Sequence, residues 1–369
     1  MSFKNKLYIG GEWREASDGG TFEVLNPADE SVITKVSSGT TQDAMACVNA
    51  AEDAFHGWAS LSPRERGEVL RKAYELFMEN IDDIAHLITL ENGKAGGDAI
   101  GEARYAAEFF RWYAEEAVRS DGHLGMAPAT GARILVHQKP AGISVLVTPW
   151  NYPAAMGTRK IGPALAAGCP VIVKPASETP LTMLALMPIL SEAGVPPGVV
   201  NVLPSRSSGA VVSGMLSDPR VRVVSFTGST EVGRKLLHAA ADNIVKPAME
   251  LGGNAPFIVC NDANIEAAAD GLMMAKMRNL GEACTAANRI YVHESVKDKF
   301  IAIFSKKMAA LKVGNGVDPD VDVGPLVNAE TRDKVEQFVS DAISKGAKLE
   351  VGGVRPSVPG FFYPPTVLS

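Results

Sequence analysis

Apolar positions recur at two different spacings along this chain, and the change of spacing divides it. Between residues 41 and 120 the period is helical. "LSPRERGEVLRKAYELF" puts Val69, Leu70, Ala73, Leu76 and Phe77 on one face. Ahead of that face Ser62, Pro63 and Glu65 form a capping box, with the proline at the first helical position, where its missing N–H is not needed. "ARYAAEFFRWYAEEAV" repeats the amphipathic pattern, and its aromatic residues read as core packing. Over 121–140, glycines, prolines and a short β-branched run predict a hairpin excursion.

From residue 141 short apolar runs alternate with helical segments. "ISVLV", "CPVIVKP", "GVVNVLP" and "VRVVSFTG" show no in–out alternation. "RKIGPALAAG", "PLTMLALMPILSEAG", "SGAVVSGMLS" and "STEVGRKLLHAAA" separate them. Continuous apolar strands joined by helices predict βαβ units and a parallel sheet buried on both faces. Such a sheet takes its ligands beyond the carboxyl ends of its strands. After residue 250 the rhythm restarts with "NAPFIVC", "NIEAAADGLMMAKMR", "RIYVHESV" and "KDKFIAIFSKKMAAL". The predicted class is α/β, with one parallel-sheet domain from 1–120 and 141–249, a β excursion at 121–140, and a second α/β domain from 250–369.

Composition narrows the function classes. The 369 residues are 46% hydrophobic and 21% charged, enough apolar material for real cores. A net charge of −6 gives no basic field for nucleic acid or an anionic membrane, so neither partner is expected. An anionic substrate would therefore need local Arg or Lys. No uncharged run is long enough to span a bilayer, and "MSFKNKLYIGGEW" has no apolar signal core, so a cytoplasmic protein is expected. Cys47, Cys169, Cys260 and Cys284 are widely spaced, which predicts free thiols and no metal site. The first three read as buried packing.

Several short stretches carry candidate chemistry, each with a plainer alternative. "FTGSTEVG" sits at a strand-to-helix junction, where Gly228, Ser229 and Gly233 suit phosphate oxygens; a glycine-rich turn would look the same. "VTPWNYP" places Trp150 and Asn151 at a strand's carboxyl end, where a primary amide can donate to an oxyanion or simply order a proline-flanked turn. Lys174 of "KPAS" can reach a ribose or phosphate, or be a solvated lysine. Glu250 in "MELGGNAP" is a candidate general base in an apolar setting, or a cap or ion-pair partner. Cys284 has no histidine nearby in sequence; its small neighbours leave room for a substrate, and helix N-terminal amides are one route to a thiolate.

Taken in order, these motifs resemble the aldehyde dehydrogenase superfamily, from "LYIGGEW" through "TPWNYP", "KIGPALAAGCPVIVKPA", "FTGSTEVG", "MELGGNAP" and "GEACTAANRIYV" to "GFFYPPTVL". The resemblance implies a dinucleotide-binding domain at 1–120 and 141–249, an oligomerisation hairpin at 121–140, a catalytic domain from 250, and a homo-oligomer. It implies Cys284 as nucleophile, Asn151 as oxyanion donor, Glu250 as base for thioester hydrolysis, and Lys160 near a proton path. Thr148, Pro149, Trp150, Lys174, Ser177, Glu178, Thr227, Gly228, Ser229, Gly233 and Leu251 fall at cofactor positions. NAD-preferring members often carry Glu where this chain has Ser177; a neutral residue beside Lys174 favours NADP, while the neighbouring Glu178 keeps NAD possible.

Arg159 and Arg278 match positions where succinate-semialdehyde dehydrogenases grip the substrate's distal carboxylate, so an ω-carboxylate aldehyde is expected, with glutarate semialdehyde or a general aldehyde as alternatives. Ala286 stands where some members carry a second cysteine, so no redox disulfide is expected there. The family's chain continues past "PPTVLS" into an E-x-F-G-P motif, which these residues do not contain. An incomplete catalytic domain is thus expected, which leaves open a catalytically silent nucleotide-binding or assembly subunit.

Overall fold

The computed structural model describes residues 4–369, which divide into two compact units. The first comprises residues up to Glu23 with Lys35–Ile84 and Glu102–Glu250; the second comprises Val24–Thr34, Ala85–Gly101 and Leu251–Ser369. The sequence pattern assigns 24–34 and 85–101 to the first domain, whereas they pack within the second unit. Periodicity shows that a segment has an apolar face, not which core receives it.

The first unit holds a seven-stranded sheet in the order Lys246–Leu251, Val221–Gly228, Ile143–Val147, Val171–Lys174, Val200–Val202, Leu7–Ile9, Glu12–Arg14. The four strands from Val221–Gly228 to Val200–Val202 are parallel, as their uninterrupted apolar runs predict. All five residues of Ile143–Val147 are buried. Each large aliphatic side chain so placed contributes about 1.5–3 kcal/mol. Val147 pairs with Lys174, so those two strands end level, and Phe226 pairs with Val147, so Val221–Gly228 runs two residues further.

Local signals act as expected in the surrounding helices. Ser62 caps Pro63–Glu79: its hydroxyl accepts from the Glu65 N–H at 3.2 Å, and Glu65 accepts from the Ser62 N–H at 2.7 Å. The helix Leu181–Ala193 stops at Gly194, whose φ of 101° suits only glycine well. The segment 121–140 is an antiparallel hairpin of His123–Met126 and Arg133–Val136.

In the second unit the parallel strands Ala255–Val259 and Ala287–Val292 carry the helices Ile265–Met277 and Lys297–Ala309. Their core includes Val259, Ala269, Leu272, Phe300 and Phe304. Cys47 and Cys169 are buried, and burial pushes the Cys47 thiol up, out of reach of ionisation. Cys260 is exposed, contrary to the expectation of packing, because it opens the turn after Ala255–Val259, where its carbonyl accepts from Ala263. No helix among the described residues is long and apolar enough to cross a membrane.

Candidate functional site

The carboxyl edge of the first unit's sheet gathers most of the expected cofactor residues. Val147 ends its strand and leads into Thr148, Pro149, Trp150 and Asn151; Lys174 ends the next strand and leads into Ser177 and Glu178. Thr148 donates its N–H to the Lys174 carbonyl at 3.2 Å, which holds the two ends together. Thr179 Oγ1 donates to the Trp150 carbonyl at 3.4 Å. Lys174 is only 4% exposed, so it is not the solvated lysine of the plainer alternative. Burial lowers its pKa to about 8, with the Glu178 carboxylate pulling the other way. Ser177 donates its hydroxyl to the Ser205 carbonyl at 3.2 Å. Its proton is therefore engaged, so Ser177 presents an uncharged side chain rather than a free donor.

On the third strand, Thr227 Oγ1 is shielded from solvent and has no hydrogen-bond partner among the described residues. An enclosed hydroxyl without a partner is costly unless a ligand or water meets it. Gly228 is required locally, since a Cβ there would lie 2.5 Å from the Phe226 ring, which folds back beneath it. Ser229 caps the helix Thr230–Ala241, accepting from the Val232 N–H at 3.3 Å, and Gly233 is buried one turn in. A buried cation, an unsatisfied hydroxyl and a capped helix N-terminus on one sheet edge fit the ribose and phosphates of a dinucleotide.

The helix Ala155–Ala166 follows Asn151 and carries Arg159 and Lys160. Both of its ends are fixed by distant side chains. Buried Glu102 accepts from the N–H groups of Ala154 and Ala155 at 2.9 and 3.2 Å, placing a carboxylate at the helix N-terminus. Trp58 Nε1 and Arg66 Nε donate to the carbonyls of Leu165 and Ala166 at 3.1 and 3.0 Å. Lys160 Nζ donates to Ser225 Oγ at 2.8 Å. Its pKa is lowered to about 8 by burial, against the pull of Glu250 and with the push of Arg159. The Arg159 guanidinium lies 5.5 Å from the Phe109 ring centroid. Glu250 is exposed on the edge strand Lys246–Leu251, not enclosed by apolar residues as its sequence neighbours predict. Leu251 ends that strand, half-buried.

In the second unit the chain entering Cys284 has an unusual course. Asn279 and Leu280 adopt φ of 54° and 60°, and Gly281 follows at 80°. Left-handed backbone costs a non-glycine residue roughly 1–2 kcal/mol, so this stretch has to be held by its surroundings. Cys284 then lies exposed in a turn closed by the Ala286 N–H on the Ala283 carbonyl at 3.0 Å. The next element is the strand Ala287–Val292, so no helix N-terminus follows the thiol. Arg278 Nη2 donates to Thr285 Oγ1 at 3.3 Å, setting its guanidinium against the residue after the thiol.

Sequence patterns do not single out Glu102, Lys94, Asp98, Asn279 or Glu282, all of which touch or brace these segments. Glu102 is one acidic residue in a long helix, and nothing local marks it. Lys94 in "ENGKAGG" carries a faint signal, a lone lysine at a glycine-rich helix break. Among the described residues, no group of three His, Cys, Asp or Glu could hold a metal ion.

Comparison with known proteins identifies the family. The profile described as "Aldehyde dehydrogenase family" matches residues 13–369. The NADP(+) succinate-semialdehyde dehydrogenase of Escherichia coli K12 is 43% identical over 366 residues, covering 99% of this chain and 76% of that protein. The glutarate-semialdehyde dehydrogenase of Pseudomonas aeruginosa is also 43% identical over 366 residues, with the same coverage. The crystal structure of succinate-semialdehyde dehydrogenase from Burkholderia pseudomallei superposes with a TM-score of 0.97 at 42% identity, covering 100% of this chain and 76% of that one. The chain thus spans about three quarters of the length of these relatives.

Proposed function

The chain belongs to the aldehyde dehydrogenase family, and from that premise we propose that it oxidises succinate semialdehyde to succinate with NADP as the preferred acceptor and NAD as a second. The observation that carries the substrate is Arg278. Its guanidinium is exposed, is joined to Thr285, and stands beside the Cys284 turn within one unit. A cation so placed suits an aldehyde that ends in a carboxylate. Arg159, seated on Phe109, is the second proposed contact.

The reaction assigned to these residues begins with the Cys284 thiolate. It adds to the aldehyde carbon, forming a C–S bond and an oxyanion. Asn151 donates its side-chain amide to that oxyanion, with the Cys284 N–H as second donor. When bound, the nicotinamide supplies the acceptor for the hydride that leaves this carbon with two electrons. The carbonyl re-forms as a thioester on Cys284. Glu250 takes a proton from water, whose oxygen attacks the thioester; the C–S bond breaks and the thiolate is restored. Lys160, with its lowered pKa, moves protons near this path.

Thr148, Pro149, Trp150, Lys174 and Glu178 would hold the adenosine side, with the lysine cation favouring a 2′-phosphate and the uncharged Ser177 not repelling it. Thr227, Gly228, Ser229, Gly233 and Leu251 would hold the pyrophosphate and nicotinamide side. The hairpin at 121–140, with Leu124 and Leu135 largely exposed, is the proposed homo-oligomer contact.

Replacing Arg278 by Ala tests the substrate. The KM for succinate semialdehyde should rise far more than that for an uncharged aldehyde of equal length. Loss of the guanidinium grip should cost about tenfold or more in kcat/KM. Equal losses on the two substrates would remove the carboxylate reading. A second reading, glutarate semialdehyde, is favoured by the equally similar Pseudomonas aeruginosa relative. The ratio of kcat/KM for the two semialdehydes decides between them.

A further inference from the structure

We propose that Lys94, acting through Asn279 together with Asp98, is a positioning residue that holds the left-handed backbone leading into Cys284, and that turnover depends on this hold. The inference rests on Cys284 being the nucleophile. All of its parts lie within the second unit.

The backbone of Lys94 is fixed first. Gly93 has φ of 90°, and its N–H donates to the Thr89 carbonyl at 2.8 Å. Gly316 and Gly324 press on the same place: a Cβ on the first would lie 2.4 Å from the Lys94 carbonyl oxygen, and a Cβ on the second would overlap the Gly93 carbonyl. The Gly96 N–H donates to the Gly316 carbonyl at 2.9 Å. These close approaches, open only to glycine, leave the lysine stem little freedom.

Lys94 is 0% exposed, and its Nζ donates to Asn279 Oδ1 at 2.5 Å. Asn279 is itself 1% exposed and is held at two further atoms. Its N–H donates to Asp98 Oδ2 at 2.9 Å, and its carbonyl accepts from the Glu282 N–H at 2.8 Å. A residue with φ of 54° is thus fixed by its side chain, its amide and its carbonyl. The next residue, Leu280 at φ of 60°, has no polar side chain to hold it and depends on Asn279 for its course. Two residues after Glu282 comes the thiol.

Charge supports the arrangement. Burial raises the Asp98 carboxyl, and Lys94, the Asn279 N–H and Arg278 draw it back down. Burial raises Glu282 to about 8, against Lys94 and Lys276. Lys94 is thus the cation that both of these carboxyls feel. A lysine serving only to fill the core would have no reason to end on the amide of a left-handed asparagine beside the nucleophile.

The full chain, with succinate semialdehyde and NADP, tests the proposal. Lys94→Met keeps the apolar stem and removes Nζ; Asn279→Ala removes its acceptor; the double variant closes a cycle. Two quantities are read: kcat and KM for NADPH formation, and iodoacetamide alkylation of Cys284 relative to exposed Cys260 on the same molecule, resolved by peptide mass spectrometry. Each single variant should lower kcat by about tenfold or more with little change in KM. The double variant should be no worse than the weaker single variant, and the Cys284:Cys260 ratio should change. Wild-type kcat in Lys94→Met, additive losses, or both cysteines reacting faster together would overturn the proposal; the last outcome is a loosened unit rather than a misplaced thiol.

If Lys94→Met does not fold, Asn279→Asp, which keeps an acceptor for Nζ, is compared with Asn279→Ala. Recovery of most of the kcat by the aspartate supports the hold, and full kcat in the alanine variant overturns it. A dead Cys284→Ala enzyme alongside a fully active Lys94→Met enzyme removes this inference alone. Full turnover by Cys284→Ala removes the reading on which it rests.

Discussion

Lys174 shows how far a single residue's identity falls short of its environment. The sequence places a lysine at a strand's carboxyl end, and only the structure shows it buried, with its pKa lowered to about 8. The sign has a functional consequence. Below that value the side chain is a cation, the form proposed to hold a 2′-phosphate; as pH rises through it, the charge is lost. The ratio of kcat/KM for NADP to that for NAD should therefore fall between pH 7 and 9 by up to about tenfold. Steady-state kinetics with both cofactors at each pH checks this, and a flat or rising ratio contradicts it. Ser177 carries the complementary lesson. Its lack of charge is legible in the sequence, whereas the engagement of its proton by Ser205 is not. Glu250 and Cys260 are both more exposed than their apolar sequence neighbours suggest, because composition around a residue does not fix which side of a strand or turn it faces.

At the scale of elements, what was legible is what is local. The capping box at Ser62, the parallel strands and the glycine stop at Gly194 depend on residues a few positions apart, and the structure shows each of them. The device that fixes the Asn151-bearing turn is not local: Glu102 meets Ala154 from 52 residues away. Replacing Glu102 by Ala leaves two N–H groups buried without their acceptor. Urea unfolding should show a loss of about 1–3 kcal/mol, with Glu102→Gln losing less because it keeps an acceptor oxygen. An unchanged midpoint in Glu102→Ala would contradict the clamp. The left-handed course of Asn279 and Leu280 was equally hidden, since leucine has no preference for φ near 60° and takes it only under tertiary constraint.

For the whole molecule, the pattern of alternating strands and helices is enough to predict two α/β bodies with a division near residue 250, and the compact units divide there as well. It does not reveal that residues 24–34 and 85–101 pack within the second unit, and Lys94 and Asp98 lie on one of these segments. The net charge of −6 points to local arginines as the means of holding an anionic substrate, and Arg278, joined to Thr285 beside the Cys284 turn, is the one proposed for it. The proposed chemistry assigns roles to Asn151, Lys160, Glu250, Cys284 and Arg278. Everything assigned to them depends on one covalent step. NADPH formation from succinate semialdehyde by the wild-type chain and by Cys284→Ala measures it most directly. The account predicts clear turnover by the first and, without the thiolate, a loss of at least about 1,000-fold in the second. No turnover by wild type, or undiminished turnover by Cys284→Ala, would contradict it.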